Sequence, residues 1–151
     1  MQAIAVFQGK LKGSYVTFYQ NNKADVVKIN IHASQLSPGK HGLHVHKKGN
    51  LFKTDCSMCE GHWNPTNKQH GGLNEANSHA GDLGNIIANH EGEVNTHLST
   101  NKLTLFGKNS ILGRSIIIHE DEDDLGKGGY HDSLETGHAG KRIDCAVIGY
   151  A

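Results

Sequence analysis

A period of two residues, rather than the three to four of a helix, runs through the first third of the chain. Side-chain type alternates in this way in residues 3–7, 15–19 and 27–31. Such runs, interrupted by Gly, Asn and Lys, are typical of antiparallel strands joined by tight turns. The segment 37–42 (Ser-Pro-Gly-Lys-His-Gly) predicts a turn, and the following strand contains the sequence His-Val-His at 44–46.

The pattern resumes after residue 80 and predicts an all-β protein. Further strands are expected at 82–88, 93–99, 102–106, 113–120 and 145–150. Two long connections, 47–80 and 120–141, lack periodicity, and loops of this length in a compact domain are usually functional. The expected architecture is therefore one domain covering residues 1–151, an immunoglobulin-like sandwich or barrel of about eight strands with two functional loops.

Composition narrows the function classes. The chain has 151 residues, a formal net charge of zero and no run rich in Lys or Arg, which argues against a nucleic-acid partner. No apolar run is long enough to cross a bilayer, so no membrane partner is expected. The N-terminal segment lacks the basic and then apolar arrangement of a signal peptide, which predicts a cytoplasmic protein. Three cysteines are too few for a disulfide scaffold.

The first long loop and the strand before it carry a dense group of potential metal ligands. These residues are His44, His46, His62, His70, His79 and Asp82. Neutral imidazole is the commonest metal ligand; a carboxylate joining histidines suits zinc, and an all-imidazole set suits copper or zinc. A solvated, histidine-rich loop is the alternative interpretation. The alternation of His44 and His46 on one strand face favours the metal site.

His119, at the end of the β-branched run 113–120, extends this set to six histidines and one aspartate. Two four-coordinate sites need eight ligand positions, and seven residues can fill them if one histidine bridges two metals. The arithmetic is compatible with bridging without proving it.

Several segments together closely resemble the copper/zinc superoxide dismutase family. They are HGLHVH, GHWNP, HGGLNEANSHAGDLGNI, GRSIIIHE, DDLGKGG and GKRIDCAVIGYA. The resemblance covers nearly the whole chain, and it implies a Greek-key barrel of eight antiparallel strands.

The resemblance also implies the identity of the metal ligands. Copper is expected on His44, His46, His62 and His119, and zinc on His62, His70, His79 and Asp82, with His62 as the bridge. Asp123 is expected to accept hydrogen bonds from His44 and His70 and thereby orient one ligand of each metal.

The implied activity is the conversion of superoxide to dioxygen and hydrogen peroxide by alternating reduction and oxidation of copper. His62 would supply a proton to the second superoxide, and Arg142 would guide the small anion. A homodimer and a copper chaperone are the implied protein partners. The alternative function is that of a copper- and zinc-binding buffer protein without significant turnover.

The family likeness pairs Cys56 with Cys145 in a disulfide. Cys59 is additional and forms a C-x-x-C spacing with Cys56, so a redox pair or a pair of soft metal ligands are alternatives to the free cysteine that we expect. Two departures from the family pattern also matter. Lys48 stands where an aromatic residue usually contributes to the dimer contact, and Glu135 replaces a lysine of the second loop.

Overall fold

The computed structural model describes all 151 residues and consists almost entirely of two antiparallel β-sheets. The strands are β1 (Gln2–Val6), β2 (Tyr15–Tyr19), β3 (Val27–Ala33), β4 (Gly39–His46), β5 (Asp82–Ala88), β6 (Val94–Thr100), β7 (Ser115–His119), β8 (Arg142–Val147) and β9 (Gly149–Tyr150). One short helix, α1 (Ser133–Thr136), and one 3₁₀ turn (Ser57–Cys59) lie within the two long loops. Neither is nearly long or apolar enough to cross a membrane.

The strand order identifies a Greek-key arrangement. One sheet has the order β6-β3-β2-β1-β9 and the other has the order β5-β4-β7-β8. Strands β3 and β6, and likewise β4 and β7, are neighbours although they are distant in sequence, which is the return connection of a Greek key. The all-β, Greek-key prediction is confirmed.

The two-residue alternation creates the core between the sheets. In β3, residues at alternate positions are buried while those between them are exposed or half-buried, and β1 and β2 show the same pattern. One cluster of 25 buried apolar residues joins Ala5, Phe18 and Ile29 of the first sheet to Leu43 and Ile116 of the second. Burying this much apolar side-chain surface is the main favourable contribution to folding.

The prediction of a strand at 102–106 is wrong, although the segment alternates in burial as a strand would. Leu103 and Leu105 are buried, but the segment pairs with no strand. The Leu105 amide instead donates to the side-chain oxygen of Gln20, over 2.7 Å, and the Leu105 carbonyl accepts from the Ser110 hydroxyl. Side chains therefore supply the hydrogen-bond partners of the Leu105 backbone. Sequence periodicity cannot distinguish such partners from those of a neighbouring strand.

The last predicted strand, 145–150, is divided between the two sheets. Strand β8 pairs with β7, and β9 pairs with β1 of the opposite sheet. Between them, the Ile148 amide bonds to the Arg114 carbonyl and its side chain is buried in the core. The chain therefore closes one edge of the sandwich as it crosses from one sheet to the other.

Candidate metal centre

Strands β4 and β7 supply three histidines to one outer face of the second sheet. His44 and His46 share a face because they are two residues apart on β4. His119 is the last residue of β7, where the pairing with β8 shifts register between Ile118 and His119. A β-bulge of this kind redirects a side chain and is common beside functional sites. All three histidines are buried because the two long loops cover this face.

His62 and Asp82 are brought to the same place by a backbone junction at Gly81. The Gly81 amide donates to Trp63 and its carbonyl accepts from Val45 of β4, each over 2.9 Å. A Cβ at position 81 would collide with the Val45 carbonyl, so only glycine allows this close approach. The junction fixes both loop ends beside the strand that carries His44 and His46.

The first group of converging side chains contains only imidazoles. One ring nitrogen from each of four residues lies within 4.8 Å of the others, and the four are His44, His46, His62 and His119. The Nε2 atoms of His46 and His119 are 3.4 Å apart. Their Nδ1 atoms face backbone carbonyls, of Glu60 at 2.8 Å and of Gly140 at 3.3 Å. Each ring is thus held from behind, with Nε2 directed toward the group.

The second group surrounds one carboxylate oxygen. Asp82 Oδ1 lies 2.9 Å from His62 Nδ1, 2.9 Å from His70 Nδ1 and 3.3 Å from His79 Nδ1. The Nδ1 atoms of His62 and His79 are 3.1 Å apart. The other carboxylate oxygen, Oδ2, accepts hydrogen bonds from the amides of Gly71 and His79 over 3.0 and 2.8 Å. Asp82 is therefore oriented by the same loop that brings the histidines to it.

These distances fit two metal ions better than a network of hydrogen bonds. Three buried ring nitrogens have no hydrogen-bond partner, namely His44 Nδ1, His62 Nε2 and His70 Nδ1. Buried polar atoms are rarely left without a partner. His70 Nδ1 is close to Asp82 yet is not aligned to donate to it, as expected when both atoms point at a common third atom. Four ligand atoms about 2.0–2.1 Å from a tetrahedral zinc ion would be separated by roughly 3.3 Å.

His62 faces both groups and His44 lies near both. His62 Nδ1 belongs to the carboxylate group, whereas its Nε2 is unpartnered and available to the imidazole group. The His44 ring stacks on His62, with 3.9 Å between centroids, which brings it close to His70 and Asp82 as well. Since His44 Nε2 is bound to Asp123, its remaining nitrogen, Nδ1, is the one free to join His46 and His119.

Asp123 links the two groups from behind. Its two carboxylate oxygens lie 2.6 Å from His44 Nε2 and 2.7 Å from His70 Nε2. The Asn85 side chain anchors the Asp123 backbone through hydrogen bonds to both its amide and its carbonyl. Gly137, with φ of +75°, ends α1 directly against this carboxylate, where a Cβ would collide with Asp123 and His70. The second loop thereby holds one ring of each group.

Burial lowers the pKa values of the histidines in the imidazole group and thereby favours their neutral form. The pKa values of His44 and His46 are lowered by desolvation and then by the charge that neighbouring histidines would carry. The same causes, with desolvation again the largest, lower the pKa of His119 to about 3. Neutral imidazole is the form that binds metal, so these rings are ready to act as ligands.

The carboxylate group behaves differently. Burial disfavours a charged His70, but its hydrogen bond to Asp123 and the negative charge of Asp82 close to it outweigh that effect and raise the pKa of His70 to about 9. Burial likewise opposes ionisation of Asp82, yet the surrounding histidines hold the pKa of Asp82 far below its usual range. A metal binding here must displace a proton from His70, which makes its affinity depend on pH.

A cleft of about 1020 Å³ leads from solvent to the imidazole group. Arg142, at the start of β8, lines this cleft together with His46, His62 and His119. Its guanidinium Nη1 donates to the Cys56 carbonyl over 2.8 Å, which fixes the charge at the cleft wall.

Other charged residues also line the cleft. Lys68 and Lys141 contribute positive charge, while Asp132 and Glu135 contribute negative charge. Arg142 is the cationic residue of the cleft whose charge acts on His46 and His119, and the two lysines and two carboxylates add opposing charges to the same cleft.

The expected disulfide is present between Cys56 and Cys145, with a Cα–Cα distance of 6.0 Å. It joins the first loop to β8, where Cys145 lies three residues along the strand from Arg142, which donates to the Cys56 carbonyl. Cys59 is free, as predicted; it is also buried, and its thiol contacts the Asn50 carbonyl.

His41 is a site neighbour that the sequence did not reveal. Its Nδ1 lies 2.9 Å from the His119 carbonyl, and its Nε2 lies 2.7 Å from the Ser37 carbonyl. This buried ring joins the turn before β4 to the end of β7. Carbonyl acceptors carry no sequence signature, so His41 could only be assigned generally to the structural or surface histidines.

A Greek-key β-sandwich with two buried four-residue groups that share one histidine defines a class of protein with a two-metal centre. Comparison with known proteins narrows this class. Residues 12–148 match the family described as copper/zinc superoxide dismutase. The chain is 44% identical over 148 residues to superoxide dismutase [Cu-Zn] 5 of Dictyostelium discoideum, covering 98% of this chain and 97% of that protein. It is 46% identical over 152 residues to superoxide dismutase [Cu-Zn] of Paramecium bursaria Chlorella virus 1, covering 100% and 79% of the two chains. The chain belongs to the copper/zinc superoxide dismutase family.

Proposed function

We propose that this chain is an oxidoreductase that converts superoxide to dioxygen and hydrogen peroxide with copper and zinc as cofactors. The observation that carries the proposal is the position of His62, whose two ring nitrogens face two separate ligand groups. A protein that only bound metal would not need one imidazole shared between an all-nitrogen group and a carboxylate-containing group. The buffer function has no comparable observation in its favour.

The chemistry of each group assigns the metals. His44, His46, His62 and His119 form the copper site, because an all-imidazole set suits a redox copper ion. His62, His70, His79 and Asp82 form the zinc site, because one carboxylate with three imidazoles suits zinc. Copper supplies the one-electron oxidation and reduction of two successive superoxide ions, whereas zinc has no redox chemistry.

His62 carries and delivers a proton at Nε2. Its Nδ1 is held 2.9 Å from Asp82 Oδ1, so the ring stays in place whichever form Nε2 adopts. Burial lowers the pKa of His62, with Asp82 opposing that effect. A proton on Nε2 therefore leaves readily toward the anion that enters the cleft.

Arg142 binds and orients the anion without touching either metal group. Its charge does not titrate near neutral pH, and its planar fork can donate more than one hydrogen bond. The Cys56 carbonyl takes one of these donors, and the arginine lines the cleft together with His46 and His119. The arginine thus places superoxide where His62 can protonate it.

The direct test pairs two measurements on one purified sample: metal content, and superoxide consumption that cyanide inhibits. One copper and one zinc per chain with cyanide-sensitive turnover would support the enzyme. Bound copper and zinc without turnover would contradict it and support the buffer function.

We further propose that residues 1–151 form one domain that assembles as a homodimer. Phe52 and Tyr150 are 87% and 77% exposed, and such large apolar side chains favour burial against a partner. Gly49 packs on Gly113, so the loop that carries Phe52 lies next to the turn before β7. Ile111, two residues before Gly113, does not contribute to this surface because its side chain is buried within the chain.

Lys48 does not prevent such a contact, since Glu60 of the same chain pairs with it at 2.7 Å. Light scattering at micromolar concentration tests the dimer, and Phe52→Glu should shift the mass toward the monomer. A wild-type monomer would contradict the proposal. We also propose a cytoplasmic location and copper delivery by a chaperone, which cell fractionation and copper loading in cells lacking the chaperone would test.

A further inference from the structure

Lys102 follows β6 and reaches across to the loop that carries His70 and His79. Its ammonium group donates to the carbonyl oxygen of Glu75, to the hydroxyl of Ser78 and, over 3.3 Å, to the carbonyl oxygen of Ser78. An ammonium group has three donors, so these contacts use its full capacity. No carboxylate pairs with Lys102, and its charge acts on backbone and hydroxyl dipoles of this loop.

These contacts act on the residue immediately before a proposed zinc ligand. Ser78 is buried and directly precedes His79. Its hydroxyl donates to the Glu75 carbonyl over 2.8 Å and closes a turn. The Glu75 and Ser78 carbonyls of this turn both accept from Lys102. No other group of the chain donates to the Ser78 carbonyl. Hydrogen bonds from a charged donor are roughly twice as strong as neutral ones, so Lys102 is a strong restraint on this turn.

The loop is held from its other side by Asp82. The His79 and Gly71 amides donate to Asp82 Oδ2, inside the site. Lys102 lies outside the site and is itself fixed, since its amide donates to Thr100 Oγ1 over 3.1 Å and the next residue, Leu103, is buried in the core. The Asp82 carboxylate therefore holds the His79 amide from within the site, and Lys102, which is anchored to the sandwich, holds the preceding residue from outside.

We propose that Lys102 is a positioning residue for the zinc half of the centre: by holding the Glu75 and Ser78 carbonyls, it fixes the backbone that places His79 beside Asp82. This inference rests on the proposed function, since it takes His79 as a zinc ligand. The copper half has no contact with Lys102. Removal of the ammonium group therefore weakens zinc binding selectively.

The test compares zinc and copper affinities of Lys102→Met, wild-type and Lys102→Arg proteins by competition with chelators. Methionine keeps most of the length of the aliphatic side chain and removes the charge and all three donors. We expect the dissociation constant for zinc to rise by roughly 10–100-fold, the usual cost of losing a partner that orients ligands. The dissociation constant for copper should stay within about twofold of wild type, and arginine should restore most of the zinc affinity.

Cobalt(II) bound in the zinc site gives a second measurement that does not depend on activity. Its visible absorption bands report the geometry of the ligands, and Lys102→Met should shift or broaden them while Lys102→Arg keeps them. Lys108→Met is the matched control, because Lys108 is exposed nearby and makes no hydrogen bond or ion pair. If Lys102→Met does not fold, Lys102→Gln provides the same comparison.

Two results would overturn the proposal. One is a zinc affinity and cobalt spectrum of Lys102→Met that match wild type. The other is an equal loss of zinc and copper affinity with a lower melting temperature of the metal-free protein, which would indicate a general structural role. His79→Ala separates this failure from failure of the proposed function: if that variant binds zinc normally, the ligand assignment itself is wrong.

Discussion

The proposed copper and zinc halves of the metal centre are built on different supports. In the copper half, His44, His46 and His119 lie on β4 and β7, adjacent strands of one sheet, and backbone carbonyls hold the rings of His46 and His119. In the zinc half, His70 and His79 come from a long loop without regular structure. Their positions depend on carboxylates, one within the group and one behind it.

This difference predicts that the copper half is rigid without metal, whereas the zinc half depends on metal for its order. A sheet keeps its geometry through its ladder of hydrogen bonds, so we expect the proposed copper ligands to be in place before any metal binds. The loop has few buried apolar contacts, and metal binding can supply the free energy that orders it. The pKa values agree with this contrast, since the copper-half rings are neutral while His70 holds a proton that metal must displace.

His62→Ala should have the largest effect, because His62 belongs to both halves. Losing a residue that only orients a ligand lowers activity by up to roughly 100-fold, and we expect the loss of His62 to lower turnover by more than that. Zinc affinity should fall as well. Superoxide consumption and metal content measure the two effects, and the exposed His90→Ala serves as control. Normal zinc binding in a variant that retains turnover would show that the two halves do not share this residue.

Asp123→Ala should come next and should weaken the halves unequally. The substitution leaves the Nε2 atoms of His44 and His70 without their partner. The strand still supports His44, whereas His70 has only its loop, so we expect zinc affinity to fall by roughly 10–100-fold and copper affinity by less. Chelator competition measures both constants.

Glu122→Gln is the control for Asp123→Ala, because Glu122 is exposed and pairs only with Lys40. Equal losses of the two metals from Asp123→Ala would contradict the distinction between strand and loop support.

Arg142→Ile should slow the reaction while sparing both halves. The arginine contacts Cys56 and the cleft rather than a proposed ligand, so copper and zinc content should not change. The second-order rate should fall by roughly tenfold or more, and its decline with rising ionic strength should weaken, because local charge steers the anion. Arg142→Lys should retain part of the rate. An unchanged rate and salt dependence would assign steering to Lys68 or Lys141.

The sequence indicated the proposed ligands of both halves but not what supports them. Histidines two apart on a strand and the motifs around His62, His70 and Asp82 are local patterns, and the fold brings them together as expected. Lys102 and His41 act through backbone carbonyls that are distant in sequence, and such acceptors leave no trace in the pattern of side chains.

The false strand at 102–106 has the same origin. Its apolar alternation correctly indicated that Leu103 and Leu105 are buried. Periodicity reports which side chains face the core, but it does not report which group satisfies the backbone, and here that group is the side chain of Gln20. Burial was therefore predictable and backbone pairing was not.

Removal of the metals should have the smallest effect, a faster amide hydrogen exchange that is confined to the zinc half. In metal-free protein, the Gly71 and His79 amides keep only Asp82 as their acceptor, in a loop that has lost its ordering ion. Their exchange should accelerate by roughly tenfold or more, because each 1.4 kcal/mol of lost local stability is a factor of ten. The amides of β4 that bond to β7 should change much less, and the pairing of β1 with β2 provides an internal reference far from the metals.

Zinc alone should restore the loop, whereas copper alone should restore little of it. Equal acceleration in β4 would mean that the strand-borne ligands also depend on metal, and the contrast between the two halves would then be wrong.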